Sequence, residues 1–283
     1  MAKLWLALLM PVLALAAPAP TNLPTPQKII QLSVPVNGRA AVEASRAGSP
    51  GVATLKAVVA LPQDFDPRRT WPVLLVTAPS GSSAVQSLSA YTNVALSQGW
   101  VVVAVDGPKV SVDKDNNVFA WAMISSLLDQ LRASWPQSKQ WPFACAGFSG
   151  GAKRAAMTAA EMMRQRDVVI GVFMGGCNED RASLGYEISR PGQGFLSVPM
   201  FLSNGTRDSI AGPLYGARVN NRWSKPASRR FASKRMTTST GSALITSASL
   251  SIGFDHHQNV PAESRQPNPS IVVPRNGKTL AEP

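Results

Sequence analysis

From residue 71 onward the chain repeats one pattern: a short apolar run, then a longer stretch of helical character. The runs are "WPVLLVTA" (71–78), "GWVVVAVDG" (99–107), "WPFACAGF" (141–148), "VVIGVFMGG" (168–176) and "VPMFLSNG" (198–205). Continuous apolar, β-branched text of that length is what a strand buried on both faces needs. Between the runs, "SSAVQSLSAYTNVALSQ", "NNVFAWAMISSLLDQLRAS" and "GAKRAAMTAAEMMRQRD" read as helices, the second with an Asn cap. Residues 177–197 read as a loop or lid. Upstream, "KIIQLSVPV" and "ATLKAVVALP" have the period-two character of half-buried strands. Strands alternating with helices predict α/β architecture: a mostly parallel sheet with helices on both faces, and ligands at the carboxyl ends of the strands.

The two ends of the chain break this pattern. Lys3 precedes an apolar run to Ala17, with the small-residue pattern Ala14-Leu15-Ala16 near its end. Residues 1–17 therefore read as a secretory signal, and 18–28 as a Pro-rich linker. The run is shorter than the ~20 residues of a bilayer span, and no later segment is apolar enough for a stable membrane span. The expected location is secreted or periplasmic. Residues 29–220 form the predicted α/β domain. From 221 to 283 the text is rich in Ser, Thr and Arg, with no legible last strand or closing helix, and reads as an irregular, basic tail.

Composition matters here chiefly through charge. The net charge of +12 suggests a nucleic-acid partner. Yet residues 218–283 hold ten Lys or Arg against three acids, and so supply seven of those twelve charges. The rest is mildly basic, without the aromatic and basic interleaving that stacks bases, so no nucleic-acid partner is expected. Cys145 and Cys177 should lie at different heights in the sheet as free, buried thiols. No metal-ligand cluster is present in the text.

The candidate chemistry sits at the end of the third of these runs. Gly147-Phe148-Ser149-Gly150-Gly151 matches G-x-S-x-G between a buried strand and a helix. A serine there must turn sharply in a strained backbone, and any Cβ on its flanking small residues would clash with strand and helix. Ser149 is thus a candidate nucleophile. The Gly150 N–H, at the helix N-terminus, is a candidate oxyanion donor.

On these residues the chain resembles the α/β-hydrolase family over roughly 53–220, and in particular secreted esterases of the dienelactone hydrolase, feruloyl esterase and polyester depolymerase type. The resemblance implies the α/β-hydrolase fold and the chain order nucleophile, acid, histidine. Gly205-Thr206-Arg207-Asp208 looks like the family's acid turn, which makes Asp208 the implied acid and Asp180 the runner-up. The competing reading of Asp208 is a cap for the helix starting near Pro213. The second oxyanion donor would come from Ala78-Pro79-Ser80-Gly81; Pro79 has no N–H, so Ser80 or Gly81 is implied. The histidine would be His256 or His257, although the surrounding text reads as two exposed histidines in a tail.

That tail is the departure from the family. Its abrupt change of character suggests a reading-frame slip near Asn220–Arg222. Shifted by one nucleotide with permissive codons, residues 223–254 can encode a helix end, an alternating strand, an acidic turn with a histidine and an amphipathic helix, in that order. An uninterrupted frame in the gene from several isolates would overturn the slip. The expected function is a serine hydrolase cleaving small-molecule or polymer esters through an acyl-enzyme, without a cofactor. Two other readings stay open: a serine peptidase or amidase of the same fold, and a non-catalytic binding protein or inactive product lacking its histidine loop. Nothing in the text sets the oligomeric state.

Overall fold

The computed structural model describes residues 28–46, 53–108, 117–223 and 236–239. Its centre is an eight-stranded sheet in the order β1-β2-β4-β3-β5-β6-β7-β8. The strands are β1 (Lys28–Pro35), β2 (Thr54–Leu61), β3 (Val73–Thr77), β4 (Val101–Val105), β5 (Phe143–Phe148), β6 (Val169–Gly175), β7 (Met200–Ser203) and β8 (Met236–Ser239). The pairs β1–β2 and β2–β4 are antiparallel; the pairing from β4 through β8 is parallel. Every residue of β3 and β4 is buried, as their unbroken apolar runs require. No last strand is legible in the text after 220, yet β8 pairs there with β7, Met200 opposite Met236.

The helices are α1 (Gly38–Arg46), α2 (Ala84–Ser97), α3 (Asn117–Ser134), α4 (Gly150–Arg164), α5 (Arg181–Ser189) and α6 (Pro213–Trp223). The expected cap of α3, residue 116, falls outside the described residues, as do the N-terminal signal and linker to residue 27, and His256 and His257. Strand alternation divides the core in two. Phe143 and Cys145 of β5 face a core that includes buried residues of α1, α3, α4 and α5. Ala144 and Ala146 face the other core, with Leu88, Tyr91 and Ala95 of α2.

Two helices were not legible. The first, α1, buries only Ala40 and Ala44, one turn apart. Asn37 fixes its start: its side chain accepts from Arg39 N at 3.0 Å and donates to Asp129 of α3 at 2.8 Å. The second, α5, occupies part of the segment expected as a loop or lid, followed by a 3-10 turn at Gln193–Ser197. Asp180 caps α5 by accepting from Ser183 N at 3.0 Å. Both cysteines are free and buried. Burial pushes both thiols up, which keeps them neutral.

Candidate active site

The elbow forms where β5 runs into α4. Ser149 has φ 54° and ψ −121°, a region that costs a non-glycine residue about 1–3 kcal/mol. Its N–H donates to Gly175 O at 2.8 Å, which ties the bend to the neighbouring strand. The flanking glycines are required by contact. A Cβ on Gly147 would lie 2.3 Å from Gly151 O, and one on Gly151 would lie 2.2 Å from Thr77 O. Thr77 completes the junction: its buried hydroxyl lies 2.6 Å from Gly151 O and 3.0 Å from Ala146 O, so one proton serves both. Ala152, Ala155, Ala156, Ala159 and Ala160 are fully buried, which lets α4 lie close against the sheet. Ser149 itself is exposed, as is the ring of Phe148 beside it.

The loop after β3 passes along the start of α4. A Cβ built on Gly150 would sit 3.7 Å from Pro79 Cα. Gly150 and Ser80, the two predicted oxyanion donors, therefore come from segments that touch. The N–H of Gly150 has no acceptor among the described residues. Within the loop, Gly81 N–H is committed to Pro108 O at 3.0 Å and Ser82 N–H to Pro79 O at 3.1 Å. The Gly81 N–H is thus already taken up in this arrangement.

Asp208 lies after β7, with β6 between its strand and the strand of Ser149. Its Oδ1 accepts from Ile210 N at 2.8 Å and Ala211 N at 2.9 Å. It thus closes a local turn and does not cap α6, which begins at Pro213. The Ala211 and Ile210 N–H groups hold its carboxyl below the usual aspartate range. No hydrogen bond among the described residues joins Asp208 to Ser149. Asp180, the runner-up acid, uses Oδ1 to cap α5, while its Oδ2 is buried without a hydrogen-bond partner.

Two features here carried no motif. Lys153 of α4 and Arg181 of α5 both pair with Glu179, in the loop after β6. Burial pushes the Glu179 carboxyl up, but the two cations outweigh it and hold the group low. Arg154 is buried, 6% exposed. It reaches from α4 back to the loop after β3, donating to Ala78 O and, at 2.7 Å, to Ser80 Oγ. Only spacing from Ser149 could have drawn attention to either residue. A cavity of about 170 Å³ lies behind α4, lined by Glu43, Trp121, Arg154, Met157, Glu161 and others, but not by Ser149. No helix among the described residues is long and apolar enough to cross a membrane.

No family model matches the chain, and no curated protein matches it. Solved structures do. A thermostable esterase superposes with a TM-score of 0.52 at 12% identity, covering 76% of this chain and 55% of that protein. This chain thus spans little more than half of that relative. A dienelactone hydrolase from Anabaena variabilis gives 0.51 at 17% identity, covering 80% of this chain and 93% of that one. A cold-adapted esterase from an Arctic intertidal metagenomic library gives 0.51 at 15%, covering 75% and 83%. The chain has the α/β-hydrolase fold, as the elbow residues led us to expect.

Proposed function

We propose that this protein is a serine hydrolase that cleaves carboxylic esters through an acyl-enzyme. The observation that carries the reading is Ser149: an exposed serine in a strained backbone at the N-terminus of α4, touching distance from the Ser80 loop. In this mechanism Ser149 Oγ attacks the ester carbonyl and gives its proton to a histidine, with Asp208 behind that base. The carbonyl oxygen gains the negative charge, held by the N–H groups of Gly150 and Ser80. The tetrahedral species collapses as the alcohol leaves with the proton from the base. Water then attacks the acyl group by the same route and frees Ser149. The solved structures that this chain resembles include esterases and a dienelactone hydrolase, which supports an ester as substrate. The apolar leader with its small-residue pattern supports export.

A fluorophosphonate probe tests the reading. Covalent labelling, and ester turnover with it, is expected in the native chain and lost in Ser149→Ala. Removing the nucleophile of a triad lowers turnover by several orders of magnitude. Equal labelling of the two proteins would refute the assignment.

One observation favours a second reading, a non-catalytic or inactive chain: the Oδ1 of Asp208 is engaged by its own turn. On that reading the native chain shows no Ser149-dependent labelling. Loss of turnover in His256→Ala or His257→Ala would instead identify the base in the tail.

A further inference from the structure

We propose that Arg154 is a positioning residue that sets the distance between the two halves of the oxyanion pocket; this rests on the hydrolase reading above. An oxyanion hole needs two N–H groups at fixed separation. Here they belong to different elements. Gly150 opens α4, whereas Ser80 sits in an irregular loop between β3 and α2. Arg154 lies on the same helix as Gly150, one turn further in. Its two terminal nitrogens donate to Ala78 O and Ser80 Oγ, on either side of Pro79. Pro79 is the residue that a Cβ on Gly150 would touch. The guanidinium fork therefore grips the loop at the point where it meets the nucleophile helix.

The other side of the loop is held independently. Gly107 N–H donates to Ser82 O at 2.8 Å, and Gly81 N–H to Pro108 O at 3.0 Å. Asp106 Oδ1 accepts from Ala84 N at 2.8 Å, at the start of α2. Ser80 is thus suspended between the end of β4 and Arg154. Take Arg154 away and both contacts of its fork with the loop are lost, while Thr77 still ties the end of β3 to Gly151.

A stability role alone explains this residue poorly. Burying a guanidinium is costly, and an apolar side chain of similar length is often an equal or better core residue. What a planar fork does, and an apolar chain cannot, is hold two acceptors at a set spacing.

The test uses the full chain with Arg154→Met, Arg154→Lys, Ser80→Ala and the double change Arg154→Met with Ser80→Ala. Ser80→Ala keeps the backbone donor and removes only the hydroxyl that Arg154 grips. Misplacement of a reacting group by about 1 Å costs roughly 100-fold, so Arg154→Met should lower kcat for an ester about 10- to 100-fold with KM nearly unchanged. Arg154→Lys should recover part of this. Ser80→Ala should cost less, and adding it to Arg154→Met should cost nothing more, because the two act through one contact. Hydrogen exchange in residues 78–83 should quicken in Arg154→Met while the melting temperature stays close to native.

An unchanged kcat in Arg154→Met overturns the proposal. So does a loss that merely tracks the unfolded fraction, a Lys variant no better than Met, or full additivity with Ser80→Ala. Should Arg154→Met fail to fold, the Lys variant and Ser80→Ala decide by the same criteria. If the native chain shows neither turnover nor Ser149 labelling, the hydrolase reading falls by itself. Loop exchange then decides the clamp: faster in Arg154→Met upholds it, unchanged overturns it.

Discussion

On the nucleophile side of the sheet's carboxyl edge, every element is held from more than one direction. Ser149 is bonded to β6, Gly147 and Gly151 are in backbone contact with their neighbours, and Thr77 and Arg154 tie β3 and its loop to α4. On the acid side, two strands away, Asn204 is the buried anchor. It accepts from Cys177 N at 3.0 Å and donates to Cys177 O at 3.1 Å. Beyond it the turn holds itself through Asp208, and Ile210 and Leu214 stand 71% and 76% exposed. A strained residue persists only where its surroundings over-determine it. The nucleophile side meets that condition with the described residues alone. The Asp208 side is a self-contained turn, and among the described residues no hydrogen bond locks it to the serine.

Glycine substitutions read this difference most strongly. In Gly151→Ala the new Cβ meets the backbone of Thr77, O at 2.2 Å and C at 3.2 Å, which cannot swing aside as a side chain would. A loss of about 3 kcal/mol is expected, from overpacking of a rigid junction. On the acid side, a Cβ on Gly205 meets nothing nearer than Asp208 Cβ at 3.5 Å, an ordinary contact. Gly205→Ala should stay within roughly 0.5 kcal/mol of native. Urea unfolding of both variants checks this. Similar losses at the two sites would break the comparison.

The same division marks what could be read from the chain alone. The buried strands, the elbow and its helix, and a turn at Asp208 were legible because each is encoded locally, by an apolar run, a glycine pattern or a turn. Helix α5 was not. It buries Ala182, Gly185 and Ser189, and it meets α4 where a Cβ on Gly185 would lie 3.1 Å from Ala160 Cβ. Contact between small residues leaves no apolar period to detect. Arg154 was hidden for a related reason. A basic residue on a helix reads as a solvent-facing charge, and only the fold brings Ala78 and Ser80 to it. That the Gly81 N–H is taken up by the Pro108 carbonyl was likewise hidden. Such pairings across distant positions follow from topology, which the local text does not carry.

The mildest intervention at Asp208 separates the turn it closes from the triad role proposed for it. An asparagine at 208 keeps an oxygen that can accept from Ile210 and Ala211, so Asp208→Asn should keep the turn and lose only the charge-dependent part of its stabilisation. Replacing the carboxylate behind a catalytic histidine lowers kcat on the order of 10⁴-fold in a serine protease, and a loss of that order is expected here if Asp208 serves the base. The titration of the native turn gives the smaller effect. Two N–H donors favour the charged carboxylate, so the folded pKa lies below that of the unfolded chain. The stabilisation is therefore present above the usual aspartate range and is lost as pH falls through the lowered value. The amide shifts of Ile210 and Ala211 should follow that acid transition and lose it in Asp208→Asn. A transition at or above the usual aspartate value would mean that the turn does not hold itself. The acid side would then need a partner even to keep its shape, and the contrast with the nucleophile side would be one of stability as well as of contact.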